Sequence, residues 1–227
     1  MNQTLFDMAE IQQAPQHPAK YTDALIPSFV DMLRGSKRIL DPFGGTGKIF
    51  DLAWWMPNVE IQAVEIEPEW AALHPKTMLG DALALPWGAD YFDAVCTSPT
   101  YGNRMADGLR MADWNYITYA QKLGRKLNSN NSGSLQWGPK YKAFHVGAWI
   151  EAKRVLQVGG RFILNIKDHI RDGERQYVTD WHIETLQSLN FKLIDHKQIE
   201  VPSMRQGQNS EARVPYESVI LFRLEAK

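Results

Sequence analysis

The segment DPFGGTGKIF, Asp41 to Phe50, constrains this chain more than any other stretch. It follows the apolar end of SKRIL and opens the helix-like GKIFDLAWWM, which Pro57 stops. A glycine-rich turn between a strand and a helix exposes backbone N–H groups at the helix start, where they can cradle a ligand. A strand, a tight turn and a helix in that order form half of a βαβ unit.

The rest of the chain repeats the alternation. Strand-like runs recur at VEIQAVEIE (Val59 to Glu67), KTMLGDA (Lys76 to Ala82), YFDAVCTSP (Tyr91 to Pro99), RFILNIKD (Arg161 to Asp168), KLIDHKQIEV (Lys192 to Val201) and SVILFRLE (Ser218 to Glu225). With SKRIL they make seven strands, and apolar runs separated by helical patterns predict a parallel sheet covered on both faces. Val146, Trp149, Ile150, Ala152 and Leu156 repeat at helical spacing ahead of RFILNIKD, with Gly159-Gly160 as the expected stop. No helical pattern separates the last two strands, so they are expected to pair antiparallel at one edge. The expected architecture is a single α/β domain over residues 1–227. Residues 102–145 interrupt it, carrying the polar LNSNNSGS and the aromatics Trp114, Tyr116, Tyr119, Trp137 and Tyr141. An insertion at the carboxyl end of a central strand lies where open α/β sheets bind ligands.

Composition narrows the class. Hydrophobic residues make up 44% and charged residues 22% of the chain, an ordinary globular mix. No run approaches the roughly 18 apolar residues of a membrane span, and the N-terminus lacks a basic-then-apolar leader. The lone Cys96 excludes an internal disulfide framework and a CxxC metal site, and the six histidines show no ligand spacing, so no metal is expected. A cytoplasmic protein is the expectation. Net charge is −1, but residues 1–100 hold 6 basic and 13 acidic residues, and residues 101–227 hold 19 and 13. That asymmetry is a hint of a polyanionic partner.

The glycine turn fails two familiar templates. A Walker loop needs Gly, four residues and then Gly-Lys-Ser/Thr; here Ile49 follows Gly47-Lys48 and Pro42 stands where the first glycine belongs. The dinucleotide fingerprint places its third glycine at Phe50, whose ring would obstruct helix–strand packing. Asp41 at the mouth of the turn would repel a pyrophosphate and suits a cofactor carrying positive charge. Glu65 ends the second strand, 20 residues after Gly45, placed to accept from ribose hydroxyls. Asp81 closes the third strand, placed for an adenine amino group. Three acids on three successive strand ends predict a rim for a cationic adenosyl cofactor.

The motif Asp41-Pro42-Phe43-Gly44-Gly45-Thr46-Gly47 resembles the cofactor motif Asp-Pro-Phe-x-Gly-x-Gly of S-adenosylmethionine-dependent amino-methyltransferases of nucleic acids. TSPTYG, Thr97 to Gly102, is similar to that family's catalytic Ser/Asp-Pro-Pro-Tyr motif, and HPAKYTDAL, His17 to Leu25, to its segment closing over the methionine end of the cofactor. RVLQVGGRFIL, Arg154 to Leu164, resembles the family's helix–turn–strand before strand five. The resemblance implies a Rossmann-like class I methyltransferase fold, with Lys20, Asp41, Pro42, Phe43, Gly45, Gly47, Glu65 and Asp81 at the S-adenosylmethionine site. It implies catalysis by Ser98, Pro99 and Tyr101: the Ser98 hydroxyl and the Pro99 carbonyl take the two hydrogens of a base amino group, and Tyr101 stacks on a base swung out of the duplex. Thr100 stands where the family has proline, which removes the φ restriction proline imposes. Serine at position 98 leans toward cytosine N4 over adenine N6 in DNA.

The basic, aromatic insertion is the expected substrate-contacting element, with Arg104, Arg110, Lys122, Arg125, Lys126, Lys140 and Lys142 on phosphate. Arg205 and Arg213 are further candidates, and Cys96 is expected in the core. An RNA base amino-methyltransferase would use the same motifs. A non-catalytic, cofactor-binding nucleic-acid subunit is the reading that Thr100 keeps open.

Overall fold

The computed structural model describes residues 21–106, 118–201 and 213–227. Within them lie strands β1 (Arg38–Asp41), β2 (Glu60–Glu65), β3 (Thr77–Leu79), β4 (Phe92–Thr97), β5 (Leu156–Ile166), β6 (His169–Arg171), β7 (Glu174–Gln176), β8 (Phe191–Glu200) and β9 (Tyr216–Leu224). The α-helices are α1 (Ile26–Met32), α2 (Pro68–Ala71), α3 (Tyr119–Leu123), α4 (Pro139–Val155) and α5 (Val178–Ser188). Seven strands form one sheet in the order β3-β2-β1-β4-β5-β9-β8. Strands β1 to β5 pair in parallel, and β9 runs antiparallel to both β5 and β8. The expected seven-stranded sheet with an antiparallel edge pair is therefore present. The short hairpin β6–β7 is an addition that the strand pattern did not show.

Both faces of the sheet are covered, which is why β1 and β4 read as continuous apolar runs rather than alternating ones. Leu40, Val64, Val95, Phe162 and Ile220 pack with Trp149, Ala152 and Val155 of α4 and Leu186 of α5. Their sequence neighbours Ile39, Ala63, Ala94, Ile163 and Val219 point the other way, onto Phe29 and Met32 of α1 and onto Ile49, Phe50 and Leu52. The helix expected after β1 is a 3-10 helix, Lys48–Trp54, which starts at Gly47 in the left-handed region, φ 81°. Phe50, the residue that breaks the dinucleotide fingerprint, stacks face to face on His74 with ring centroids 3.8 Å apart.

Two sequence expectations are corrected here. Gly159-Gly160 does not stop α4: the helix ends at Val155, Leu156 is already extended, and the glycines lie inside β5. They sit where the β4–β5 register slips between Phe92 and Ala94, so they serve a bulge and not a cap. The insertion is also shorter than 102–145. Pro139 at the first position of α4, where a missing N–H is harmless, starts the helix early. Tyr141 and His145 consequently belong to the core.

β1 and β4 are neighbours, yet β2 and β3 extend to one side and β5 to the other. The sheet order therefore reverses between β1 and β4, and a crevice opens at their carboxyl ends. Gly44 brings the turn down onto β2, its N–H donating to the Val64 carbonyl at 2.8 Å. A Cβ at Gly44 would stand 2.8 Å from the Ala63 Cβ and 3.2 Å from the Val64 carbonyl oxygen, so strand backbone would have to move. Gly44→Ala is expected to cost about 1–3 kcal/mol, read as a fall in the thermal midpoint. An unchanged midpoint would mean that β2 yields freely at this contact.

Candidate active site

The crevice is a cleft of about 250 Å³ whose lining includes Asp41, Pro42, Phe43, Gly45, Glu65, Asp81, Ser98, Pro99 and Tyr101. The two sequence motifs, far apart in the chain, thus face one space. Gly47 is outside the lining and shapes the turn behind it; a Cβ there would stand 2.6 Å from the His74 Cβ. Lys20, His17 and Arg110 lie outside the described residues.

Each expected acid is held by its own loop. The Asp41 carboxylate accepts from the Phe43 N–H at 3.0 Å and from the Thr97 hydroxyl at 2.6 Å, joining the ends of β1 and β4 across the point where the sheet order reverses. It is 3% exposed, and burial pushes it up to about 6 against the two hydrogen bonds. The Glu65 carboxylate accepts from the Gly45 N–H and from the Glu67 N–H, each at 2.9 Å. Burial raises it to about 7, opposed by those backbone bonds. An ionised carboxylate offers about four lone-pair sites, so both N–H contacts leave Glu65 capacity for ribose hydroxyls. Asp81 accepts from the Leu83 N–H at 2.8 Å and from the Asn130 amide at 2.8 Å. Lys48, also in the lining, is paired with Asp23 and Asp51. A cleft walled by three carboxylates, two of them with ionisation disfavoured by burial, fits a ligand bringing positive charge and O–H or N–H donors. It does not fit a polyphosphate.

The Ser98–Tyr101 turn is tied from three sides. The Ser98 hydroxyl lies 3.2 Å from the Tyr101 hydroxyl and 3.1 Å from the amide nitrogen of Asn165 on β5. Thr100, in place of proline, donates its hydroxyl to Ser132 at 3.0 Å. Its carbonyl accepts from the Tyr141 hydroxyl at 2.7 Å. Tyr141 in turn meets His182 Nε2 at 3.0 Å, and the Trp149 indole N–H donates to His182 Nδ1 at 3.1 Å. Because Nδ1 accepts, the neutral ring carries its hydrogen on Nε2 and donates to Tyr141, and burial holds His182 well below the usual histidine range. The rigidity that proline would supply by fixing φ comes instead from a hydrogen-bonded chain anchored on α4 and α5. Phe43 is held by the same cluster, its ring 5.8 Å from His145 and 5.9 Å from Trp149.

The insertion folds back on the cleft. Thr118 and Gln121 form a capping box that starts α3, and Tyr119 packs edge-on to Trp70 and lines the cleft. Arg125, expected on phosphate, is bonded to Glu67 at 2.8 Å and to Glu69 within the chain. Lys142 lies over the Trp137 and Trp181 rings, its ammonium 4.7 Å from the first centroid. Lys126 and Lys140 are exposed, Lys122 is half-buried, and Arg104 begins a single 3-10 turn, Arg104–Ala106. Lys122, Lys126, Lys140 and Lys142 do not line the cleft. Arg213 is exposed ahead of β9, and Arg205 lies outside the described residues. Cys96 is buried in the core as expected. Among the described residues no cluster of His, Cys, Asp or Glu could hold a metal ion, and no helix is long and apolar enough to cross a membrane.

Several site residues escaped the sequence. Glu67, fully buried, accepts from the Asn128 N–H at 2.7 Å and the Asn131 amide at 2.8 Å, and so fixes the loop whose Asn130, Asn131 and Ser132 line the cleft. Asn165 and Glu217 come from β5 and β9. The Glu65-x-Glu67 pair before Pro68 was the available signal for the first of these, though spacing alone reads it as a helix-start acid. Tyr141→Phe, which removes one hydroxyl and leaves the Thr100 carbonyl and His182 without it, is expected to cost about 1–3 kcal/mol. The measurement is chemical denaturation, and an unaltered midpoint would show that the chain to Thr100 carries no stability.

No protein-family model and no curated protein sequence matches this chain. Solved structures do. An S-adenosylmethionine-dependent methyltransferase from Methanosarcina mazei superposes with a TM-score of 0.55 at 14% identity, covering 88% of this chain and 98% of the other. TrmN from Thermus thermophilus gives 0.55 at 16% identity, over 88% of this chain but 48% of its own. A geranyl diphosphate methyltransferase in complex with S-adenosylmethionine gives 0.54 at 12% identity, over 88% and 84%. The chain has the Rossmann-like fold of these S-adenosylmethionine-dependent methyltransferases.

Proposed function

We propose that the protein transfers a methyl group from S-adenosylmethionine to the exocyclic amino group of a base in DNA, with cytosine N4 favoured over adenine N6. The observation that carries this reading is that Ser98 and Pro99 open into the same cleft as Asp41, Glu65 and Asp81. A donor held by the acids and an acceptor held by the turn would therefore meet. The cofactor, when bound, supplies an electrophilic methyl on a sulfonium. Asp41 sits at the mouth of the glycine turn to offset that positive charge, and Glu65 is placed for the ribose hydroxyls. Asp81 and Asn130 are placed for the adenine amino group, and Pro42, Phe43 and Gly45 wall the site. Lys20 is assigned to the cofactor carboxylate on motif resemblance.

A base amino group is a poor nucleophile because its lone pair is delocalised into the ring. The Ser98 hydroxyl oxygen and the Pro99 carbonyl, each accepting one N–H, localise that pair and aim it at the methyl group. The contribution is positioning and electrostatics in a partly dry site. Tyr101, which lines the cleft, is assigned to stacking on the base. The exposed Lys126 and Lys140, with Arg104 and Arg110, are the candidates for phosphate. Arg125 and Lys142 are assigned to internal contacts.

The test is methyl transfer from labelled S-adenosylmethionine to unmethylated genomic DNA and, in parallel, to total RNA, with the modified nucleoside identified by mass. Label in N4-methylcytosine is the expected result; label in RNA alone would move the substrate, and no label in either would sink the enzymatic reading. Ser98→Ala is expected to lower kcat on the order of 10²-fold with cofactor affinity unchanged. Acidity provides a second check. Asp41 and Glu65, raised to about 6 and about 7, are neutral near pH 5 and ionised near pH 8. Raised carboxylates stabilise the fold below their unfolded values, and that contribution is lost as pH rises through about 6 to 7. Ionisation at the same time favours a cationic ligand. The rise in thermal midpoint on adding S-adenosylmethionine is therefore expected to be larger at pH 8 than at pH 5, and a gain independent of pH would contradict the charge argument.

A further inference from the structure

Glu217, the second residue of β9, has no place in the motifs that led to the cleft, yet it lines the cleft beside Ser98 and Tyr101. The antiparallel β5–β9 pairing brings it there. Ile166 at the end of β5 faces Ser218, so the start of β9 lies at the same sheet edge as the end of β4. Asn165, completely buried on β5, connects Glu217 to the Ser98–Tyr101 turn. Its amide nitrogen lies 3.1 Å from the Ser98 hydroxyl, 3.1 Å from the Tyr101 hydroxyl and 2.7 Å from Glu217 Oε2. The Tyr101 hydroxyl is 3.3 Å from the same Glu217 oxygen.

The direction of these hydrogen bonds follows from what each group can do. An ionised carboxylate only accepts, so Asn165 must turn its nitrogen and Tyr101 its hydrogen toward Glu217. Flipping the Asn165 amide would place its oxygen against the carboxylate. The cluster keeps the unflipped arrangement even though the Asn165 Oδ1 is then buried with no partner among the described residues. Tyr101, having given its hydrogen to Glu217, is left as an acceptor toward Ser98, and the Ser98 hydroxyl donates to it. The Ser98 oxygen then points a lone pair into the cleft, as an acceptor for a substrate N–H must. Without Glu217 nothing prevents the Ser98 hydrogen from turning onto the substrate nitrogen, where it would block the lone pair needed for attack.

We propose that Glu217 is a positioning residue that polarises the Ser98–Tyr101 pair toward the substrate amine and receives, through them, the proton released by methylation. This rests on the methyl-transfer reading above. In the step, the amine nitrogen forms the N–C bond while the C–S bond opens, its electron pair staying on sulfur. The nitrogen becomes positive and gives one hydrogen to the Ser98 oxygen. The Ser98 hydrogen passes to Tyr101, and the Tyr101 hydrogen to Glu217. The product amine and the carboxylic acid are both neutral, and water later takes the proton. Among the described residues, the charged and titratable neighbours that bear on the cluster are Lys167, just beyond β5, which feels Glu217 and Arg213, and Tyr119, which bears on Tyr101.

The experiment is steady-state methyl transfer by the full chain, by three single variants and by one double variant, with cofactor affinity measured by calorimetry. Glu217→Gln keeps the shape but adds donors where acceptors are required; kcat is expected to fall on the order of 10²-fold with the KM for S-adenosylmethionine unchanged. Glu217→Asp, which keeps the carboxylate, is expected to recover most of that loss. Tyr101→Phe cuts the relay at its middle and is expected to match Glu217→Gln, with the double variant no worse than either single one, as for groups acting as a unit. Parental kcat in Glu217→Gln, or losses that multiply in the double variant, would overturn the proposal. Should Glu217→Gln fail to bind cofactor, the Glu217→Asp and Tyr101→Phe comparison decides it. A parent protein that methylates neither DNA nor RNA would remove the reading itself and this inference with it.

Discussion

The site depends on the carboxylate of Glu65. This buried acid accepts from two backbone N–H groups, and each belongs to a different structural unit. The Gly45 bond pins the glycine turn to the end of β2. The Glu67 bond sets the backbone from which the next acid projects inward. Glu67 then accepts from Asn128, Asn131 and Arg125, and so fastens the inserted loop across the cleft. One desolvated carboxylate thus ties the first wall of the cleft to its lid side. Its acidity is shifted by burial, not by a neighbouring cation, which leaves the cleft short of positive charge.

The opposite wall is organised by a network of hydrogen bonds between side chains. Trp149, His182 and Tyr141 form a chain of oriented donors that ends on the Thr100 carbonyl. Asn165 and Glu217 orient Ser98 and Tyr101 from the other side. The turn between them is held by side chains from four elements, so its geometry does not rely on a stiff peptide unit. Asp41 and Thr97 join the two walls at the point where the strand order reverses.

Much of this was legible in the sequence because local rules wrote it. The seven strands, the parallel centre and the antiparallel edge followed from apolar runs and from the missing helix between the last two. Asp41, Glu65 and Asp81 stood out as strand-end acids and Ser98 through its motif, and all four line the one cleft. The misses share a physical cause. Gly159-Gly160 was read as a helix stop because glycine breaks helices, while tertiary pairing with β4 used it for a bulge. Charge counting likewise could not see that Arg125 pairs with Glu67. Pro139 began α4 earlier than the periodicity of Val146 to Leu156 indicated, since the buried face of the first turns is made of Tyr141 and His145 and not of aliphatic residues.

The sequence by itself determined the class of fold, the glycine turn that approaches β2 and the set of acids on strand ends, because these rest on spacing and on the sterics of single residues. Only the tertiary structure decided which backbone groups each cleft carboxylate holds, how Thr100 is kept rigid without proline, and that Glu217 stands beside Ser98. The last two depend on hydrogen bonds such as Tyr141 to Thr100, 41 positions apart, and Tyr101 to Glu217, 116 apart, and a donor's partner at such separations is chosen by the packing of the sheet.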